Sequence, residues 1–96
     1  MSEPDPRGRR VAVVADSRLD ALLPELRAGG YGTIQLPPAG LEPELVSAWL
    51  EQVAEHVAEF LRHDYEVVLA GDGSNEDELG EKLAELGIGE LRPAPF

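Results

Sequence analysis

The sequence predicts a small α/β protein, a three-layer α/β/α sandwich around a parallel sheet of three or four strands. Two valine-rich runs, Val11-Ala-Val-Val-Ala15 and Val67-Val-Leu-Ala70, are apolar at every position, the pattern of strands buried on both faces. Each run ends in an acid and a turn, Asp16-Ser17 and Gly71-Asp72-Gly73-Ser74, followed by residues with helical spacing. Strands alternating with helices across short connections imply right-handed crossovers, and so parallel neighbours.

Each element has its own signal. Residues 1–9 are polar and proline-rich and read as a flexible leader, with a single domain over 10–96. Arg10 to Ala15 is the first strand, rich in β-branched valine. Asp16 or Ser17 suits the cap of a helix over Arg18–Ala28, with Leu19, Leu22, Leu23 and Leu26 on one face and Pro24 as a kink or late start. Gly29-Gly30 ends it, because glycine tolerates the left-handed cap conformation. Tyr31 to Leu36 is a second, less apolar strand suited to an edge, and Pro37-Pro38-Ala39-Gly40 then breaks regular structure.

The second helix opens near Pro43 and runs to about His63, where Val46, Leu50, Val53, Val57, Phe60 and Leu61 form an apolar stripe. Tyr65 to Ala70 is the third strand. Glu76 to Leu86 is the third helix, with Leu79, Leu83 and Leu86 inward and Gly87 as its stop. Ile88 to Leu91 suits a short fourth strand. The expected order is 2-1-3 with the last segment beside strand three, a flavodoxin-like or Rossmann-like arrangement.

Composition narrows the function. The 96 residues carry 19 acids against 8 Lys+Arg, a formal charge of −11, and such a field repels phosphate backbones. No nucleic-acid partner is expected. Arg7, Arg9, Arg10 and Arg18 gather near the first strand, either as a local basic rim or as a solvated tail holding that strand in register. The absence of cysteine excludes disulfides, thiolate catalysis and Cys-based zinc sites. No apolar segment approaches the roughly 20 residues that span a bilayer, and no secretory signal stands at the amino terminus. The expected location is cytoplasmic, with no membrane partner. A chain this short buries only about 60–65% of its unfolded surface, and its open sheet edges invite a homodimer or a protein partner.

The sharpest motif is the turn Gly71-Asp72-Gly73-Ser74-Asn75. Two glycines around an aspartate allow close backbone approach and free several N–H groups at a helix start, where anions bind. With the preceding Phe60-Leu-Arg-His-Asp-Tyr-Glu-Val-Val-Leu-Ala70, it resembles the Gly-Gly-Asp-Gly-Thr loop of the diacylglycerol kinase and NAD kinase superfamily. Ala70 stands for the first glycine and Ser74 for the threonine. The resemblance covers residues 60–76 and implies that Gly71, Asp72, Gly73 and Ser74 line a site for nucleotide phosphates. The same residues also suit a plain strand-to-helix turn, with Ser74 or Asn75 as cap.

Asp16 and Ser17 fall at the end of the first strand, where open sheets bind ligands. Asp16 and Asp72 are candidate Mg²⁺ ligands, since that ion takes one or two carboxylates; as the alternative, Asp16 is a helix cap. Gln52, His56, Glu59 and His63 share one helix face, as half of a transition-metal site or as a solvated row. Trp49, the single tryptophan, suits packing under the Pro37-Pro38 loop or anchoring an interface. There is no Gly-x-Ser-x-Gly elbow, Walker A loop or Gly-x-Gly-x-x-Gly fingerprint. The expectation is therefore a non-catalytic module that binds a ligand or partner at the ends of strands one and three. The alternatives are a nucleotide- or phosphate-binding enzyme or enzyme fragment using Gly71 to Ser74 with Mg²⁺, and an acidic accessory subunit of a larger complex.

Overall fold

The computed structural model of the protein describes residues 9–73 and 75–96. The expected leader, apart from Arg9, and both Arg7 and Ser74 lie outside the described residues. Along the chain run β1 (Arg10–Val14), α1 (Asp16–Gly29), β2 (Tyr31–Gln35), α2 (Pro43–Arg62), β3 (Glu66–Ala70), α3 (Glu76–Glu85) and β4 (Arg92–Pro93). The strands form one parallel sheet in the order β2-β1-β3-β4, as the sequence predicts.

This order divides the helices between two faces. β1 to β2 steps one way along the sheet, while β2 to β3 and β3 to β4 step the other way. Crossovers of constant hand must then put α1 on one face and α2 and α3 on the opposite one. The core is divided accordingly. Val11, Val13, Ala15 and Val67 pack with Leu50, Val53, Ala54 and Val57 of α2 and Leu79 and Leu83 of α3. Ala12, Val14, Val68 and Ala70 pack with Leu22 and Leu26 of α1. β1 lies between both layers, and its unbroken apolar run follows from having no solvent face.

Local departures from the sequence reading have identifiable causes. α1 begins at Asp16, two residues before the expected start, and continues past Pro24. Pro24 and Asp20 are both exposed, so water can satisfy the carbonyl that the proline leaves without a donor. The fourth strand is Arg92–Pro93 rather than Ile88–Leu91. Ile88 N–H closes α3 by donating to the Leu83 carbonyl at 2.9 Å, and the Ile88 and Leu91 side chains pack onto the α2/α3 core. Residues 88–91 are thus occupied in covering that layer, and only the next two residues pair with β3. Residues 94–96 then run onto the α1 face, where Phe96 meets Tyr31 edge-on with ring centroids 5.6 Å apart. Among the described residues, no helix is long and apolar enough to cross a membrane.

Candidate functional site

The register brings three strand ends level. Val14 lies beside Gln35 on one flank and Ala70 on the other. Ala15 N–H donates to the Ala70 carbonyl at 3.0 Å, and Leu36 N–H donates to the Val14 carbonyl at 2.8 Å. Beyond this row the chain after β1 turns toward α1, while those after β2 and β3 turn toward the opposite face. A parallel sheet opens a crevice where neighbouring chains part in this way. Here it measures about 220 Å³ and is lined by Ala15, Asp16, Ser17, Asp72, Asn75 and the Leu36–Ala39 loop.

Three consecutive residues tie the start of α1 to both flanking strands. The Asp16 carboxylate accepts a hydrogen bond from Gln35 Nε2 at 2.5 Å. Ser17 Oγ donates to Asp72 Oδ2 at 2.6 Å. Arg18 Nη1 donates to the Gly71 carbonyl at 3.0 Å from a part-buried position. Across the crevice, Asn75 Nδ2 donates to the Pro37 carbonyl at 3.3 Å and joins the loops after β2 and β3. The two acids singled out in the sequence therefore face one crevice, each held by a neutral donor.

No side-chain cap forms at the start of α1 or from Asn75 at the start of α3. Ala15 takes the N-cap position of α1 in extended conformation, φ −64° and ψ 141°, and has no side-chain acceptor to offer. Asp16, expected as the cap, instead occupies the first turn, where its charge faces the positive end of the helix dipole. Asn75 takes the N-cap position of α3 at φ −121° and ψ 10°, away from the extended conformation of a capping residue, and makes no capping bond; its Nδ2 donates to the Pro37 carbonyl. Glu76, Asp77 and Glu78 place three acids in the first turn of that helix. Glu76 also folds over the glycine loop, its carboxylate filling the space a Cβ would take at Gly71.

The glycines act through the backbone. Gly71 presents its carbonyl to Arg18, and Gly73 has φ +88°, a conformation that L side chains rarely adopt. Neither contributes to the crevice lining. Sequence reasoning missed Gln35, Leu36 and Pro37. Leu36 and Pro37 are buried as the crevice's apolar wall, a role that follows only from their place at a parallel strand end beside Asp16. Trp49 does pack at the β2 end, with Nε1 donating to the Gln35 carbonyl at 2.9 Å.

Two other groupings stay apart from the crevice. Gln52, His56, Glu59 and His63 are all exposed, and His63 Nε2 lies 3.3 Å from Glu59 Oε1. Among the described residues no group of three or more His, Cys, Asp or Glu is placed to hold a metal ion. Arg10 sits at the opposite end of β1 from Arg18, 3.8 Å from Glu66 and over the Tyr31 ring, so these bases form no common rim. Larger grooves of about 520 and 630 Å³ lie beside the amino end of β3 and along α3. Neither is at the strand ends where the polar side chains converge. No family model, curated protein or solved structure matches the chain.

Proposed function

We propose that the protein is a non-catalytic binding module whose ligand enters the crevice at the carboxyl ends of β1 and β3. The observation that carries this reading is the meeting of Asp16, Ser17, Asp72 and Asn75 with the apolar Leu36–Pro38 wall in one crevice. Its size selects among ligands. At about 220 Å³ it falls below the roughly 300–1,000 Å³ of pockets that bury a whole drug-sized molecule. It suits one small group: an amine or guanidinium head, donating to the carboxylates, on an apolar stem lying against Leu36 and Pro37.

A second reading is favoured by the two carboxylates facing the same space: Mg²⁺ shared by Asp16 and Asp72, bridging to a nucleotide phosphate. The acids at the start of α3, with Glu76 over Gly71, oppose a bare phosphate there, so this reading requires the cation. Thermal denaturation with an alkylguanidine, an alkylamine, Mg²⁺ alone, and ATP or NAD with Mg²⁺ separates the two. A ligand at one hundred times its Kd adds about 2.7 kcal/mol of stability. Stabilisation by the organic cations alone, lost in Asp16→Asn and Asp72→Asn, supports the first reading. Stabilisation by nucleotide only with Mg²⁺ supports the second. Amide chemical-shift changes confined to residues outside the crevice would remove both.

A further inference from the structure

The two edges of the sheet differ in how they are protected. β4 is two residues long, and one of them, Pro93, has no N–H to offer a neighbour. The other, Arg92, is charged. Short length, charge and proline are common means of keeping an edge unpaired. β2 has none of them: Tyr31-Gly-Thr-Ile-Gln35 is a five-residue strand without charge or proline, exposed at Gly32 and Thr33.

The direction of the backbone groups that β1 does not use follows from alternation. Leu36 N–H points to β1, donating to the Val14 carbonyl. The N–H and C=O groups of Ile34 and Gly32 therefore also face β1, and those of Tyr31, Thr33 and Gln35 face outward. The Trp49 indole reaching the Gln35 carbonyl agrees with that direction. One helical turn before Trp49, Leu45 lies 55% exposed, so an apolar side chain stands on the α2 surface near this edge.

We propose that β2 is a homodimer edge: a second copy pairs its own β2 antiparallel to this one about a two-fold axis at Thr33, extending the sheet across both chains. Thr33 then lies opposite the partner's Thr33, and Tyr31 opposite the partner's Gln35. Each opposed pair exchanges both N–H···O bonds. The Gln35 carbonyl keeps a second lone pair for this beside the indole. A reversed copy is favoured as occupant because it sets a donor against every acceptor, and the strand has no charge of its own. Two chains of net charge −11 thus meet along a neutral line. The axis also brings Leu45 and Trp49 of both copies to the same side of the joined sheet, where pairing would cover them.

Light scattering after gel filtration of the full chain, from about 1 to about 500 µM, spans the affinities such a contact would have. The expected result is a rise toward twice the 10.4 kDa chain mass, with Trp49 emission shifting to shorter wavelength over the same range. Thr33→Pro removes an outward N–H that β1 does not use, and Thr33→Lys sets two like charges across the axis. Each should weaken association at least about tenfold with an unchanged far-UV spectrum. Should Thr33→Pro fail to fold, Thr33→Lys decides. A wild-type mass of one chain throughout, or a folded Thr33→Lys variant that dimerises as well as wild type, overturns the proposal.

Discussion

Leu50→Ala and Leu61→Ala make the same substitution on the same helix, so the small gain in helix propensity is shared and the difference between them reads burial. Leu50 is fully buried between the sheet and the helices, whereas Leu61 is 37% exposed near the end of α2. Truncating a buried leucine removes transfer free energy and leaves a cavity, which together cost about 2–5 kcal/mol. A value near 3 kcal/mol is expected for Leu50, because it is fully buried in the core shared by the sheet, α2 and α3. Leu61 loses a smaller area and no enclosed volume, so about 1 kcal/mol is expected there. A domain of this size has a total stability of about 5–14 kcal/mol, and each kcal/mol moves Tm by about 4–8 °C. The melting temperatures should therefore fall by roughly 12–24 °C and 4–8 °C respectively. Urea denaturation followed by far-UV circular dichroism gives both values, with unchanged m expected. Equal losses, or a loss under about 1 kcal/mol for Leu50→Ala, would refute the packing of α2 described above.

Arg18→Ala removes the part-buried bond to the Gly71 carbonyl, and about 1–2 kcal/mol of stability should go with it, measured as the shift in urea midpoint. Gly30→Ala places a Cβ at φ +71°, in the left-handed cap that closes α1, and should cost about 1 kcal/mol by the same assay. Phe96→Ala removes the edge-on contact with Tyr31; about 1 kcal/mol and a weakened near-UV tyrosine signal are expected. Gly71→Ala requires the Glu76 side chain to turn aside from Cγ outward, so a loss of about 0.5–1.5 kcal/mol is expected, falling to none in a Glu76→Ala background.

The first three strands, the three helices and their layering were readable in the sequence, and the place of β4 was not. A strand with no solvent face has to be apolar throughout, and a helix beside the sheet has to carry an apolar stripe. Val11–Ala15 and the stripe of α2 therefore declared themselves. The site was readable in part. Parallel strands end on the same side, so Asp16 and Asp72 were bound to approach each other once β1 and β3 were taken as neighbours. The wall of the crevice was not readable, because Leu36 and Pro37 look like an ordinary loop until the register sets them beside Asp16. The caps were misjudged as well. Asp16 and Asn75 are good local cap formers, but in the folded chain Ala15 takes the cap position ahead of Asp16, and Asn75 is held at φ −121° and ψ 10°, away from the extended conformation of a capping residue.

By itself, the sequence determined the first three strands and the three helices, most of the residues that avoid water, and that two acids end the central strands; it misplaced β4 and turned inward Leu61 and Leu86, which stand 37% and 49% exposed. What it determined follows from local periodicity and hydrophobic burial, which depend on neighbours a few positions away. Tertiary structure alone decided which polar atoms meet: Ser17 with Asp72, Arg18 with the Gly71 carbonyl, Trp49 with the Gln35 carbonyl. Hydrogen bonds are short and directional, and these join residues far apart in the chain, so no local pattern encodes them.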